Sequence, residues 1–350
     1  MKTTQLKIGM PAGSLASASR GGNLVDLLAA AGFRTSGYDK GGPTTFTGTN
    51  LLFGWDGRPQ EFGAQLEIGE LDVAIAGDDW IQERVLEMRI EHGVEINLER
   101  VMTLNRGEVQ IVGIVADPSF RTTEEFLAQV APKKPLLVVA SEMPYVALDW
   151  IRRRLAAVGL ADRFQAHSVQ KYKTPPRIQQ GILVYESWGK TESKVKNGAV
   201  DVGLEISQTG SAIKSYGLTV VETVLRSQTS VYTRAAVMRD AEKRELLEMF
   251  LVNLYGAIHA ESKVMLLFNV PNALTEAVDS YLRTNNLFGE EPTLSRGKEF
   301  TEYNIQVDAV DVEKPVALVR YTLASLGARS INTIPITSSI PGIRMIREPR

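Results

Sequence analysis

One polar segment combines residue types that suit both a phosphate and a sugar. It places a glycine between two hydroxyl residues, after a predicted strand and before a predicted helix, and reads Glu205-Ile206-Ser207-Gln208-Thr209-Gly210-Ser211-Ala212-Ile213. Free backbone N–H groups in the first turn of a helix attract an anion, and glycine lets the backbone approach it closely. Thr209 and Ser211 would add hydroxyl donors, and Glu205 would accept hydrogen bonds from paired ribose hydroxyls. The pattern indicates a phosphoribosyl site, with an ordinary capped turn as the alternative.

A second glycine turn follows the first predicted strand and reads Met10-Pro11-Ala12-Gly13-Ser14-Leu15. We expect this turn to face the first one across a cleft, and Arg20 is the strong cation of the glycine- and serine-rich stretch that continues it. A solvated loop is the alternative, because glycine and serine are common loop residues.

The positions of several other polar and aromatic residues allow two structural interpretations each. Asp78 and Asp79 follow a strand, where they would either begin a helix favourably or form a polar wall of the same cleft. Trp80, Trp150 and Trp188 are predicted in the core or at a hinge, with stacking on a base as the alternative.

Several chemistries are excluded by composition. The three histidines lie far apart without metal-ligand spacing, and the absence of cysteine removes disulfides, thiolate zinc sites and cysteine nucleophiles. With 39 basic and 41 acidic residues the formal net charge is −2, so nothing draws the chain to nucleic acid or anionic lipid. No apolar stretch reaches the ~20 residues of a membrane helix, and the first residues do not resemble a secretion signal. We therefore expect a cytoplasmic protein that binds neither nucleic acid nor membrane.

The elements that position these residues follow an α/β pattern, in which short apolar runs end at Gly or Asp and helices follow. Thr122 and Glu125 form a predicted capping box at one helix start. Strands are predicted at residues 6–10, 73–76, 109–115, 135–140 and 200–204, and the last is followed by a loop from Glu205 to Ser211 and a short helix. Residues 199–203 echo residues 70–74, which suggests two similar lobes, with chance as the alternative.

The C-terminal part has a different order. Strands are predicted at residues 264–270, 291–295, 302–310 and 331–336, with helices at 273–283 and 312–326. This βαββαβ order is typical of a ferredoxin-like sheet with two helices on one face. It contains no cluster of catalytic residue types, so we expect a regulatory or oligomerising module.

Together these segments resemble a known family, the long form of ATP phosphoribosyltransferase. Besides the two glycine turns, the similar segments, in order, are Gly69-Glu70-Leu71-Asp72-Val73-Ala74-Ile75-Ala76-Gly77, Ala140-Ser141-Glu142-Met143-Pro144, Gly189-Lys190-Thr191-Glu192, Tyr216-Gly217-Leu218 and Leu326-Gly327-Ala328. The resemblance implies a two-lobed core with the type II periplasmic-binding-protein fold and a C-terminal ferredoxin-like regulatory domain. Lobe I would span residues 1–108, completed by 226–262, lobe II 109–225, and the regulatory domain 263–350.

The implied reaction transfers phosphoribosyl from 5-phosphoribosyl 1-pyrophosphate to N1 of ATP, the first step of histidine biosynthesis. Mg²⁺ dependence, inhibition by histidine at the C-terminal domain and a hexameric assembly follow from the same resemblance. No side chain is implied as a nucleophile, and Glu205 would be the acid that binds the ribose. The residues that would bind the donor are Glu205, Gln208, Thr209, Gly210, Ser211 and Ala212, and those that would bind ATP are Gly13, Ser14, Asp78 and Glu192.

The chain departs from the family pattern within this cleft. Ala12 and Ser14 stand where the family has basic residues, Glu205 replaces an Asp, and Ala212 replaces a Thr. Arg20, Lys40 and Lys190 are the candidate substitute cations. The alternative is a divergent paralogue on the same fold, which would use another acceptor or bind a small ligand without catalysis.

Overall fold

The computed structural model describes residues 4–16, 23–40, 43–289 and 293–347. The chain divides into two compact units, one of Met1–Val25 with Thr35–Arg244 and one of Asp26–Arg34 with Glu245–Arg350. The first unit contains two α/β lobes, each built on its own sheet. The finer boundaries expected for the lobes stay a prediction.

The first lobe is built on a five-stranded sheet in the order β4-β1-β5-β13-β6. β1 is parallel to β4 and β5, while β13 is antiparallel to its neighbours β5 and β6. In chain order, the elements before the chain enters the second lobe are β1 (Leu6–Pro11), α1 (Leu24–Ala30), β2 (Thr35–Ser36), β3 (Thr45–Phe46), β4 (Leu52–Gly57), α2 (Pro59–Ile68), β5 (Val73–Gly77), α3 (Asp78–His92) and β6 (Leu98–Thr103). Most of α1 belongs to the second unit.

The second lobe is built on a six-stranded sheet in the order β12-β7-β11-β8-β10-β9. β8, β9, β10 and β11 run parallel, and β7 is antiparallel to β11 and β12. Its elements are β7 (Val109–Val115), α4 (Thr123–Val130), β8 (Leu136–Ser141), α5 (Pro144–Ala157), β9 (His167–Lys171), β10 (Gly181–Glu186), α6 (Thr191–Lys196), β11 (Val202–Ser207), α7 (Ser211–Ser215) and β12 (Thr219–Ser227).

The chain crosses between the lobes twice. It enters the second lobe between β6 and β7 and returns to the first sheet through β13 (Thr229–Arg234). In each sheet the strand that arrives by a crossing is antiparallel and lies beside β5 or β11. This arrangement confirms the predicted two-lobed fold class, and the capping box of Thr122 and Glu125 at the start of α4 is also confirmed.

The second unit contains a four-stranded antiparallel sheet in the order β15-β16-β14-β17. The elements that follow β13 in the chain are α8 (Ala235–Arg239), α9 (Ala241–Ala260), β14 (Lys263–Pro271), α10 (Thr275–Asn285), β15 (Thr293–Arg296), β16 (Phe300–Asp308), α11 (Val316–Ser325), β17 (Arg329–Pro335) and α12 (Arg344–Arg347). The predicted βαββαβ order is therefore confirmed, with the strand order of a ferredoxin-like sheet. Among the described residues, no helix is both long enough and apolar enough to span a bilayer.

Two local expectations have clear outcomes. Trp150 is fully buried in the core of the second lobe, beneath Gly113, where an added Cβ would lie 2.4 Å from the indole ring. The loop predicted to begin at Glu205 was wrong in its first three residues, because β11 continues to Ser207. Pairing with β7 extends the strand, with Glu205 opposite Val112.

Candidate active site

A cleft lies between the two lobes of the first unit, beside the chain crossings. Its inner cavity, of about 480 Å³, is lined by Gly107 and Thr229 from the crossings and by residues of both lobes. Its outer cavity, of about 560 Å³, lies between α3 of the first lobe and the second lobe. Gln60 and Trp80 line both cavities, so the two cavities are neighbouring parts of one cleft.

The predicted donor loop lies between β11 and α7. Gly210 has a φ of +70°, which a residue with a Cβ adopts only with strain, and it immediately precedes α7. The exposed hydroxyls of Thr209 and Ser211 lie 2.8 Å apart, so both face the same space. Gln208 lines the inner cavity, and Ala212 is exposed in the first turn of α7. The loop therefore offers hydroxyl donors and an open backbone at the edge of the cleft.

Glu205, at the end of β11, has a carboxylate oxygen without a partner. Its Oε1 accepts a hydrogen bond from the backbone N–H of Ile206 at 3.1 Å, while Oε2 is buried and has no partner among the described residues. Burial, followed by the charges of Glu192 and Glu142, raises the pKa of Glu205 to about 7, against the opposing effect of the Thr191 hydroxyl. A buried oxygen of this kind is costly unless a ligand supplies a donor.

Glu192 and Glu142 belong to the same charged cluster, and Lys194 is a cation of that cluster. Glu192 is buried at the start of α6, and the Lys194 ammonium donates a hydrogen bond to the carbonyl of Gly189 at 2.7 Å. Burial lowers the pKa of Lys194, while Glu205, Glu142 and Glu192 raise it. Lys194 is not among the residues predicted from the sequence, because a lysine in a short helix is most often solvated.

On the first lobe, the glycine turn reaches the inner cavity. Ala12 and Gly13 line that cavity, and Gly13 has a φ of +83° at the start of the short 3₁₀ turn Gly13–Leu15. An added Cβ on Gly13 would meet nothing within 4 Å, so the space beside this backbone is open. Ser14 continues the turn.

The two aspartates after β5 have different surroundings. The Asp78 carboxylate accepts a hydrogen bond from the Tyr232 hydroxyl at 2.7 Å and pairs with Arg100 at 3.4 Å. Asp79 lines the inner cavity although only 4% of its surface is exposed, and its Oδ1 accepts a hydrogen bond from the backbone N–H of Trp80 at 2.9 Å. Burial raises the pKa of Asp79. The structure thus places Asp79 on the cleft wall and gives Asp78 partners within the first lobe.

The candidate substitute cations lie in different places. Arg20 lies outside the described residues. Lys40 is exposed in the 3₁₀ turn Tyr38–Lys40, and Lys190 is exposed just before α6 with a φ of +59°. A further cation, Arg58, lines the inner cavity directly before α2, and sequence reasoning missed it because it lies about 45 residues from the glycine turn that it accompanies.

Comparison with known proteins identifies one family. Residues 58–256 match the family described as ATP phosphoribosyltransferase. The ATP phosphoribosyltransferase of Geotalea daltonii is 29% identical over 342 residues, which cover 96% of this chain and 99% of the relative. ATP phosphoribosyltransferase 1 of Geobacter sulfurreducens is 27% identical over 339 residues, which cover 96% of this chain and 99% of the relative.

A solved structure supports the fold independently. One chain of an ATP phosphoribosyl transferase complex from Thermotoga maritima superposes with a TM-score of 0.51 at 16% identity. The superposition covers 73% of this chain and 100% of the Thermotoga chain.

Proposed function

The chain belongs to the ATP phosphoribosyltransferase family, and we propose that it transfers phosphoribosyl from 5-phosphoribosyl 1-pyrophosphate to N1 of ATP, the first step of histidine biosynthesis. In this reaction the bond between ribose C1 and the pyrophosphate oxygen breaks, and a bond between C1 and N1 forms. Pyrophosphate leaves with the electron pair of the broken bond. Positive charge develops on the ribose, so the protein contributes positioning and electrostatic stabilisation rather than a nucleophile.

The observation that carries the proposal is the pairing of an unsatisfied carboxylate with an open glycine turn. Oε2 of Glu205 is buried without a partner, and the ribose hydroxyls of the donor would supply its missing hydrogen bonds. Gly210 and the hydroxyls of Thr209 and Ser211 follow, beginning four residues further along the chain, where they would hold the 5-phosphate. A sugar site and a phosphate site in this order match a phosphoribosyl group.

On the opposite wall, the inner cavity suits the acceptor. Gly13 gives open backbone, Trp80 gives an aromatic surface, and Asp79 gives a buried acceptor of hydrogen bonds. Arg58 lines the same cavity and supplies a cation for the polyphosphate where Ala12 and Ser14 carry none. We assign the acceptor wall to these residues, with Asp79 in place of Asp78.

Mg²⁺ is part of the proposal, held mainly by the substrate. Among the described residues, no group of three or more His, Asp or Glu side chains could hold a metal ion by itself. Glu192 and Glu142, whose charges act on Glu205, offer further carboxylates beside the donor site, which fits Mg²⁺ because this ion is usually bound through one or two carboxylates and substrate phosphates. When bound, Mg²⁺ would neutralise charge on the pyrophosphate.

Regulation, assembly and location complete the proposal. A cavity of about 260 Å³ in the second unit is lined by Lys263, Asp308, Asp311 and Lys314, whose opposite charges suit a free amino acid, and we infer that histidine binds there as inhibitor. A hexameric homo-oligomer and a cytoplasmic location, where nucleoside triphosphates are available, are inferred with it.

Incubation with Mg²⁺, ATP and the donor tests the function directly. Release of pyrophosphate together with the absorbance of the N1 adduct is expected. Binding of ATP or donor in a calorimeter without any pyrophosphate release, at high protein concentration, would instead identify a non-catalytic binding protein.

The donor site is tested by Gly210→Val, which forces a β-branched side chain into a left-handed conformation beside the phosphate position. Donor affinity is expected to fall at least about 100-fold, since the free N–H groups no longer reach the anion. Gly93→Val is the matched control, because Gly93 has a similar φ of +64° after α3 with nothing within 4 Å of an added Cβ. Equal donor affinity in the two variants would contradict the assignment of the loop.

A further inference from the structure

The first turn of α5 lacks a cap from its own segment. Met143 is at the N-cap position and makes no side-chain capping hydrogen bond, and Pro144 begins the helix. The backbone N–H groups that follow would be left without partners inside the helix. α5 follows the turn of Ser141 and Glu142. The group that accepts hydrogen bonds from these N–H groups therefore also helps to position that turn.

The missing cap comes from the other lobe. Glu83, on α3, accepts a hydrogen bond from the backbone N–H of Tyr145 at 3.0 Å and another from that of Val146 at 2.8 Å. The Glu83 residue is only 8% exposed. A carboxylate at a helix N-terminus is favoured both by the free N–H groups and by the helix dipole.

Apolar contacts surround this cap on the same seam. Leu86 of α3 belongs to the buried core of the second lobe, and Trp80 and Ile90 pack against that core. The Tyr145 hydroxyl also interacts with Glu91 of α3. The cap is therefore one part of a continuous contact between α3 and α5.

Charged groups on both sides of the seam act on Glu83. Burial raises the pKa of Glu83 to about 8, Glu87 and Glu186 add to the rise, and the two backbone N–H groups oppose it. Arg84, Glu142, Lys171 and Arg177 also line the outer cavity beside Glu83.

The two joined helices begin at opposite walls of the cleft. α3 begins with Asp78 and carries Asp79 and Trp80 of the acceptor wall in its first turn. α5 begins just after Glu142, whose charge acts on Glu205 in the donor site. We propose that Glu83 is a positioning residue that sets the separation between the donor and acceptor walls by capping α5 from α3. Its catalytic consequence rests on the proposed function, whereas its effect on lobe separation does not.

The lobe separation can be measured without activity. Because the chain contains no cysteine, Ile68→Cys in the first lobe and Asp162→Cys in the second introduce the only two sites for spin labels. Both positions are exposed, so labelling them leaves the cleft intact. Pulsed electron paramagnetic resonance on the full-length chain then gives the distribution of distances between the lobes.

Glu83→Ala and Glu83→Gln are compared on this background, with Glu95→Gln as the control. Glu95 follows α3 and forms an exposed ion pair with Arg89, away from the seam. We expect a broader, shifted distance distribution in Glu83→Ala, a smaller change in Glu83→Gln, and none in the control. For catalysis we expect kcat to fall about three- to tenfold with the donor Kd unchanged, because the two substrates would be held less often at the reacting distance.

The distance measurement decides the proposal. If the distributions of the Glu83 variants match that of Glu95→Gln, the proposal is overturned, whatever the activity. If Glu83→Ala does not fold, Glu83→Gln carries the same test, because it keeps the shape of the side chain. An inactive wild-type chain with a distance change in the Glu83 variants would contradict the proposed function and support the positioning role.

Discussion

The two lobes begin one strand in the same way and end it differently. Asp72 lies just before β5, donates its backbone N–H to the Lys7 carbonyl at 3.0 Å and accepts the Lys7 N–H on its carboxylate at 3.0 Å. Asp201 lies just before β11 and makes the same pair of bonds with Val138, at 2.8 and 2.9 Å. The echo between residues 70–74 and 199–203 is therefore a repeated device that fastens a strand to its parallel neighbour.

The carboxyl ends of these two strands show no such repetition. After β5, the Asp78 carboxylate accepts a hydrogen bond from the Tyr232 hydroxyl, and that of Asp79 accepts one from the backbone N–H of Trp80. At the end of β11, Glu205 keeps a buried oxygen without a partner among the described residues. In open α/β sheets ligands bind beyond the carboxyl ends of strands. We infer that the shared strand starts stabilise the fold, whereas the different strand ends bind different ligands.

Removing the aspartate that precedes β5 or β11 should give the largest effect, a loss of stability. Asp72→Ala leaves the ammonium of Lys243, now 2.7 Å away, without its carboxylate, and Asp201→Ala does the same to Lys134. Each change should lower the free energy of unfolding by about 2 kcal/mol, since it removes the acceptor of a backbone N–H group and the carboxylate partner of a partly exposed lysine. Urea denaturation of the full chain measures this loss.

Glu70→Ala is a suitable control, because it lies two residues before Asp72 on the surface. Stability losses of similar size at Asp72 and Asp201, and little loss at Glu70, are expected. A large loss at only one aspartate would show that the two lobes do not use the device equivalently.

The sequence predicted this architecture well where the signals are local. The order of elements after residue 262 follows from alternating apolar residues and turn residues, and Thr122 with Glu125 marks the start of α4. The last three residues of β11 could not be predicted in the same way, because they join the strand through pairing with β7, about 90 residues earlier. Pairing across such a distance leaves no local signal.

The site was predictable in its loop and not in its surroundings. Gly210 between two hydroxyl residues is a local signal, whereas the choice between Asp78 and Asp79 depends on a rotation of about 100° between adjacent helical residues. Glu83 lies in a helix of largely polar sequence, where a glutamate is expected on the surface, and only the packing of the second lobe shows that it is buried. Contacts between the two lobes cannot be predicted from one sequence segment at a time.

Substitutions at the ends of β11 and β5 should affect donor binding and ATP binding separately. Glu205→Gln should weaken donor binding about tenfold or more, because the amide offers one acceptor and a misplaced donor to the ribose hydroxyls. Asp79→Asn should weaken ATP binding by a similar or smaller factor and leave the donor affinity unchanged. Calorimetric titration of each ligand into each variant measures both affinities, and a loss of donor affinity in Asp79→Asn would contradict the assignment of the two walls.

The smallest expected effect is a shift in the pH dependence of donor binding, which we assign to Glu205 in β11. The ionised form of Glu205 accepts hydrogen bonds from ribose, so donor affinity should rise as pH increases through about 7 and fall below it. Glu192→Gln removes a negative charge that raises the pKa of Glu205, so the rise should move to lower pH by less than about one unit. Glu124→Gln, on the surface of the same lobe and paired with Arg154, should leave the profile in place. A profile of donor Kd against pH that stays unmoved in Glu192→Gln would mean that the charge of Glu192 does not set the pKa of Glu205, and that burial and Glu142 raise it instead.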